Sequence, residues 1–198
     1  MSKDLIVATS NLKKLAEIQR ILGPDSDWNL KSLADMNFQG QEPEENEASF
    51  EGNALLKARY YQKQLGGIVI ADDSGIECDD LNGYPGVHSA RIGNDDKHRR
   101  QVLLEKLKQA KPEAEGFPSR FRCVIALIGK DLEQTFSGSC EGSVIDQEKG
   151  TNGFGYDPIF YLEDGRSLAE YSQEEKNQIS HRGQAVDKLK IFLNTLGK

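Results

Sequence analysis

The chain has 198 residues, with 25 Lys and Arg against 32 Asp and Glu, for a formal net charge of -7. A chain of this size forms one domain that buries roughly 70% of its unfolded surface, so its core needs no disulfide or structural metal. The acidic balance excludes a non-specific DNA or RNA binder, which relies on excess Lys and Arg, and no apolar run approaches the roughly 18 residues of a membrane span.

Met1 to Asp4 runs directly into a short apolar segment and lacks a signal-peptide layout. Leu5 to Ala8 reads as a buried strand, and Thr9-Ser10-Asn11 supplies turn and cap residues for a helix. In that helix Leu15, Ile18 and Leu22 form one apolar stripe, and Gly23-Pro24 stops it. Trp28 to Leu33 is a second strand, and Gln39 to Glu47 is an acidic loop. Ser49 caps a helix whose face carries Phe50, Ala54, Ala58, Tyr61 and Leu65, up to Gly66-Gly67. Ile68 to Ala71 is the strongest buried-strand signal, followed at once by Asp72-Asp73-Ser74-Gly75.

Gly83 to Gly86 is a loop, and Asp95 to Gln109 a helix with Val102, Leu103 and Leu107 inward. Phe121 to Ile128 and Glu133 to Val144 form a hairpin through Gly129-Lys130-Asp131. A glycine-rich run, Gly150 to Asp157, precedes a strand at Pro158 to Tyr161, a short helix at Gln173 to Ser180 and a last helix at Gln184 to Leu196. Strands alternating with helices predict an α/β sheet, and the hairpin-rich middle makes it mixed. Cys78, Cys123 and Cys140, an odd number without metal-ligand spacing, read as buried reduced thiols of a cytosolic protein.

Functional residues of α/β folds gather at the carboxyl ends of strands. The first such end, Thr9 to Lys14, opens a helix; it reads either as an anion cradle with Lys14 adding charge or as an ordinary capped helix. The second carries Asp72-Asp73, a carboxylate pair suited to Mg²⁺ or to acid–base work, or else a solvated turn. Glu44 or Glu45 could add a further ligand. Glycines around Phe154 let backbone approach a flat ligand, and its ring could stack on a purine or simply pack on the core. Lys176, His181 and Arg182 are types that hold phosphate or read a carbonyl oxygen.

Six segments then appear in order: Thr9 to Lys14, Ser49 to Ala54, Ala71 to Gly75, Pro85 to Arg91, Gly153 to Phe160 and Ser180 to Gly183. Together, over nearly the whole chain, they resemble the inosine/xanthosine triphosphate pyrophosphatase family (Ham1-like). The resemblance implies a single two-lobed domain over residues 1–198, an elongated mixed β-sheet flanked by helices, with the active cleft between the lobes. It implies Mg²⁺-dependent hydrolysis of ITP, dITP and XTP to the monophosphate and pyrophosphate by a homodimer.

Matched by motif, Asp73 is the proton acceptor and a metal ligand, and Glu44, or its neighbour Glu45, is the second metal position. Substrate binding falls to Thr9, Ser10, Asn11, Leu12, Lys13, Lys14, Ser74, Phe154, Gly155, Tyr156, Asp157, Lys176, His181 and Arg182. Within this scheme Lys14 and Lys176 neutralise the triphosphate, and His181 and Arg182 donate to the 6-oxo group of the base. Ser10 stands where the family often has glycine, which matters if that position needs positive φ. The competing readings are a nucleotide-binding sensor without catalysis and a pyrophosphatase for other nucleoside triphosphates.

Overall fold

The computed structural model describes residues 3–23 and 27–196. β1 (Lys3–Val7) leads to α1 (Leu12–Leu22), whose stripe of Leu15, Ile18 and Leu22 is buried as the periodicity requires. Gly23 ends α1, while Pro24, read as part of the same stop, lies outside the described residues. β2 (Trp28–Ser32) follows, then α2 (Phe50–Leu65), capped by the Ser49 side chain and ended by Gly66.

β3 (Ile68–Cys78) departs from the sequence reading. The strand does not stop at Ala71 but runs on through Asp72 and Asp73 for 11 residues in all. Both acids are buried there, and both have cationic partners, so the apolar run need not end at them.

α3 (Asp96–Ala110) begins after its cap Asp95, with Leu103 and Leu107 buried. β4 (Phe117–Gly129) and β5 (Leu132–Val144) are longer than predicted, with Asp131 at positive φ in the turn between them. The strand expected at Pro158 to Tyr161 is cut to β6 (Phe160–Tyr161), because Asp157–Ile159 forms a 3₁₀ turn. Pro158 has no N–H for a ladder and suits that turn. α4 (Gln173–Ile179) agrees with expectation, but α5 (His181–Leu196) starts three residues early, placing His181 and Arg182 in its first turn.

The strand order is β2-β1-β3-β4-β5-β6. β1 is parallel to β2 and β3 and β6 antiparallel to β5, so the sheet is mixed. Two compact units divide the chain: Met1–Asp73, Cys123–Gly138 and Arg182–Lys198 form the first, and Ser74–Arg122 and Ser139–His181 the second. The first unit packs alternate strand residues (Leu5, Val7, Ile70, Cys123, Ile125, Leu127) against the stripe of α1 and against Ala185, Val186 and Leu189 of α5. Each such buried aliphatic contributes about 1.5–3 kcal/mol. The second packs Leu103 and Leu107 with Ile76, Phe117, Phe121 and Phe160.

All three cysteines are buried and none forms a disulfide. Burial pushes the Cys123 thiol up to about 12, so it stays protonated and unreactive. Among the described residues no helix is long and apolar enough to cross a membrane.

Candidate active site

In the first unit the corner after β1 is exposed from Ser10 to Lys13 and adjoins a cavity of about 450 Å³ lined by Thr9, Ser10, Leu12, Phe38, Glu42 and Tyr61 among others. Asn11 Oδ1 accepts the N–H groups of Lys13 and Lys14 at 3.0 and 3.2 Å, and Thr9 Oγ1 accepts that of Asn11 at 3.2 Å. Two first-turn donors that the sequence offers to an anion are therefore already met by the cap. Ser10 is not among the positive-φ residues, so its departure from glycine carries no left-handed strain.

The period of two along β3 sends Asp72 and Asp73 to different partners. Asp72 Oδ2 receives Lys14 Nζ of α1 at 3.0 Å and Arg182 Nη2 of α5 at 3.3 Å. Arg182 Nη1 also donates to Glu17 Oε2 at 2.5 Å. Burial alone would raise the Asp72 carboxyl, but the charges of Lys14, Arg182 and Lys57 outweigh it and hold it far below the usual carboxylate range. Arg182 is buried with both terminal nitrogens on carboxylates, so it balances Asp72 and Glu17.

Asp73 turns to α2. Asn53 Nδ2 donates to its Oδ2 at 3.0 Å, and Lys57 Nζ lies 3.9 Å from its Oδ1. Asn53 Oδ1 meanwhile accepts the Glu47 N–H at 3.0 Å, and Lys57 holds Glu45 Oε1 at 2.5 Å. Asn53 and Lys57, one helical turn apart, thus tie the acidic loop to Asp73. Burial raises the Asp73 carboxyl, and Lys57 and the Asn53 hydrogen bond only partly offset it. Burial would lower the Lys57 ammonium, but Asp72, Asp73 and Glu45 together raise it.

Glu44 is exposed, so of the two candidate acids it is Glu45 that reaches the ammonium beside Asp73. Mg²⁺ takes oxygen ligands and commonly only one or two carboxylates, leaving the rest to water and phosphate. Asp73 and Glu45 fit that donor chemistry. Among the described residues no three His, Cys, Asp or Glu side chains form a closed cage.

In the second unit Asp157 is the hub of the glycine-rich loop. Its Oδ2 accepts the Phe154 N–H at 2.7 Å and Lys176 Nζ at 2.8 Å, while Lys176 Nζ stands 4.9 Å from the centre of the Phe154 ring. Lys176 and Asp157 are almost wholly buried and Phe154 is partly buried. Lys176, which the sequence reading assigns to substrate, pairs here with the carboxylate that shapes the aromatic loop. The buried Tyr156 donates its hydroxyl to Ser89 O at 2.6 Å, and burial, the largest influence, raises it. His181 stacks on Phe121 with centroids 4.8 Å apart and planes 11° from parallel, which fixes its ring. Ser74, next after Asp73 on β3, is partly buried.

Asn53, Lys57 and Glu17 escaped the sequence reading. One signal was available: Asn53 is a polar residue inside the apolar face of α2, between Phe50 and Ala54, and is fully buried.

The chain is similar to known proteins over nearly its whole length. A model of the Ham1 family matches residues 5–192. A dITP/XTP pyrophosphatase of Bacillus licheniformis is 43% identical over 195 residues, covering 97% of this chain and 98% of the relative. One of Bacillus anthracis is 44% identical over 193 residues, covering 94% of each. The solved structure of a HAM1 protein from Coxiella burnetii superposes with a TM-score of 0.87 at 37% identity, covering 98% of this chain and 99% of that one.

Proposed function

Because this chain belongs to the Ham1 family, we propose that it hydrolyses the non-standard purine nucleoside triphosphates dITP, ITP and XTP to the monophosphate and pyrophosphate, and so cleanses the nucleotide pool. The observation that carries the reading is the setting of Asp73, a buried carboxyl raised by burial beside the Lys57 ammonium that it shares with Glu45. A raised carboxyl is a better proton acceptor near neutrality than an ordinary one.

Attack of water at the α-phosphorus breaks the bond to the bridging oxygen, and pyrophosphate carries away the electron pair. Asp73 takes the proton from that water, directly or across one bridging water. Lys57 and Lys14 lower the cost of bringing the polyphosphate near the acids, and Asp72 keeps Lys14 aimed. Thr9 to Lys13 contribute the polar corner and its cavity. Asp73 and Glu45 would hold Mg²⁺, which when bound supplies charge neutralisation and a Lewis acid for the phosphoryl oxygens.

Base recognition belongs to the second unit. Phe154 offers a stacking face, Asp157 and Lys176 hold its loop, and His181 donates to the 6-oxo group that hypoxanthine and xanthine carry and adenine lacks. A site that meets the oxo group with a donor disfavours an amino group by leaving polar atoms unpaired. The protein works as a cytoplasmic homodimer in this reading, which sizing by light scattering would check.

The deciding experiment assays pyrophosphate release from dITP, ITP, XTP, GTP, ATP and dTTP, each with and without Mg²⁺. The reading requires turnover of the first three above the rest and dependence on the metal. Tight nucleotide binding without pyrophosphate would replace it with a sensor, and a preference for dTTP or ATP would remove the purine-cleansing role.

A further inference from the structure

α3 carries none of the motifs used above, yet it grips the glycine-rich loop. Asp96 Oδ2 accepts the Gly155 N–H at 3.0 Å, and Arg100 Nη1 donates to Gly155 O at 2.8 Å. Asp96 and Arg100 are one helical turn apart, so one face of α3 meets both polar atoms of a single loop residue. Each arm is braced in turn. Arg99 Nη2 holds Asp96 Oδ1 at 2.7 Å, and Arg100 forks onto Glu148 through Nε and Nη2 at 2.8 and 3.1 Å. The Arg100 side chain is only 12% exposed.

Gly155 sits at φ +64°, and a Cβ there would meet nothing within 4 Å. The two hydrogen bonds from α3 therefore hold a glycine whose side-chain position is open. The Gly155 N–H lies in the peptide that begins at Phe154, so holding it fixes ψ of Phe154 and the direction in which that side chain leaves the backbone.

We propose that Asp96 and Arg100 are positioning residues for purine recognition: by clamping Gly155 they hold the backbone from which Phe154 presents its ring. This rests on Phe154 being the base platform, as argued above. The base is remote from the phosphorus that reacts, so its stacking is felt equally in the bound substrate and in the transition state. The clamp then governs KM, not kcat.

The test uses Asp96→Ala and Arg100→Ala; α3 keeps its cap Asp95 in both. Each variant raises KM for ITP about 5- to 10-fold, the size of one ordinary hydrogen bond, with kcat within about twofold. Calorimetry shows the same factor in the Kd of IMP, and NMR shows faster exchange of the Gly155 amide. In a Phe154→Ala background Asp96→Ala adds nothing to KM, because it acts through that ring. Arg100→Lys, which keeps a donor, recovers part of the loss.

KM and the Kd of IMP unchanged while the Gly155 amide exchanges faster would overturn the proposal. So would a fall in kcat at constant KM, or additivity with Phe154→Ala. Should an alanine variant fail to fold, Asp96→Leu and Arg100→Met, which likewise remove the acceptor and the donor, carry the same comparison, and an unmoved KM in both is equally fatal. A wild-type protein that turns over no nucleoside triphosphate would instead sink the proposed activity, with the clamp still readable from Gly155 exchange and IMP affinity.

Discussion

In the first unit Lys57 stands 3.9 Å from Asp73 and is shared with Glu45, whereas in the second Lys176 lies 2.8 Å from Asp157 with both side chains almost wholly buried. The residue types are the same and the outcomes differ. Asp157 puts the same oxygen on the Phe154 N–H, so its pair is a strut that shapes a loop. Lys57 pairs closely with Glu45 and stands farther from Asp73, whose carboxyl burial raises and the Lys57 charge only partly offsets. Within the first unit the partners differ across one strand: Lys14 and Arg182 meet Asp72, while one step along β3 Asp73 meets Asn53 and Lys57.

The sharpest way to break this distinction is Asp73→Asn. Turnover of ITP should fall by at least about 10³-fold, the scale of a lost general base, while thermal denaturation shows Tm unchanged or higher because a raised buried carboxyl is gone. An active Asp73→Asn protein would mean that another residue takes the proton.

Removing one partner of a closed pair should do the opposite, costing stability first. Asp72→Asn takes a counter-charge from Lys14 and from Arg182, and Lys176→Met takes the counter-charge of Asp157; each should lower unfolding free energy by about 3 kcal/mol in urea melts. If Lys176→Met keeps its stability and loses only kcat, Lys176 serves the phosphates after all.

The smallest effect is in pH, read on metal-free protein. The folded pKa of Asp72 lies below its unfolded value, so its contribution is complete above about pH 4 and fades as pH falls through the lower folded value. Asp73 has the opposite sign: its folded pKa is raised, so it costs stability as pH rises from about 4 through that raised value. The Tm advantage of Asp73→Asn should therefore shrink as the buffer is taken towards pH 4, and an advantage that grows on acidification would contradict the assigned direction.

Much of the fold is legible in the chain itself. The stripe of α1, the Ser49 cap, the β4–β5 hairpin and the α/β order follow from periods of two and 3.6 and from turn chemistry, all of which act within a few residues. The order of the six motifs likewise marks out Asp73 and the Phe154 loop.

What packing alone decided is which charge meets which. Asp72 and Asp73 read as one pair because they are adjacent, but a strand points neighbours to opposite faces, and only the continuation of β3 through them makes that rule apply. Arg182 reaches Glu17 across 165 positions and Lys176 reaches Asp157 across 19. Local propensity carries no information at such separations; burial does, because a charge removed from water must find its counter-charge wherever the folded chain has brought one.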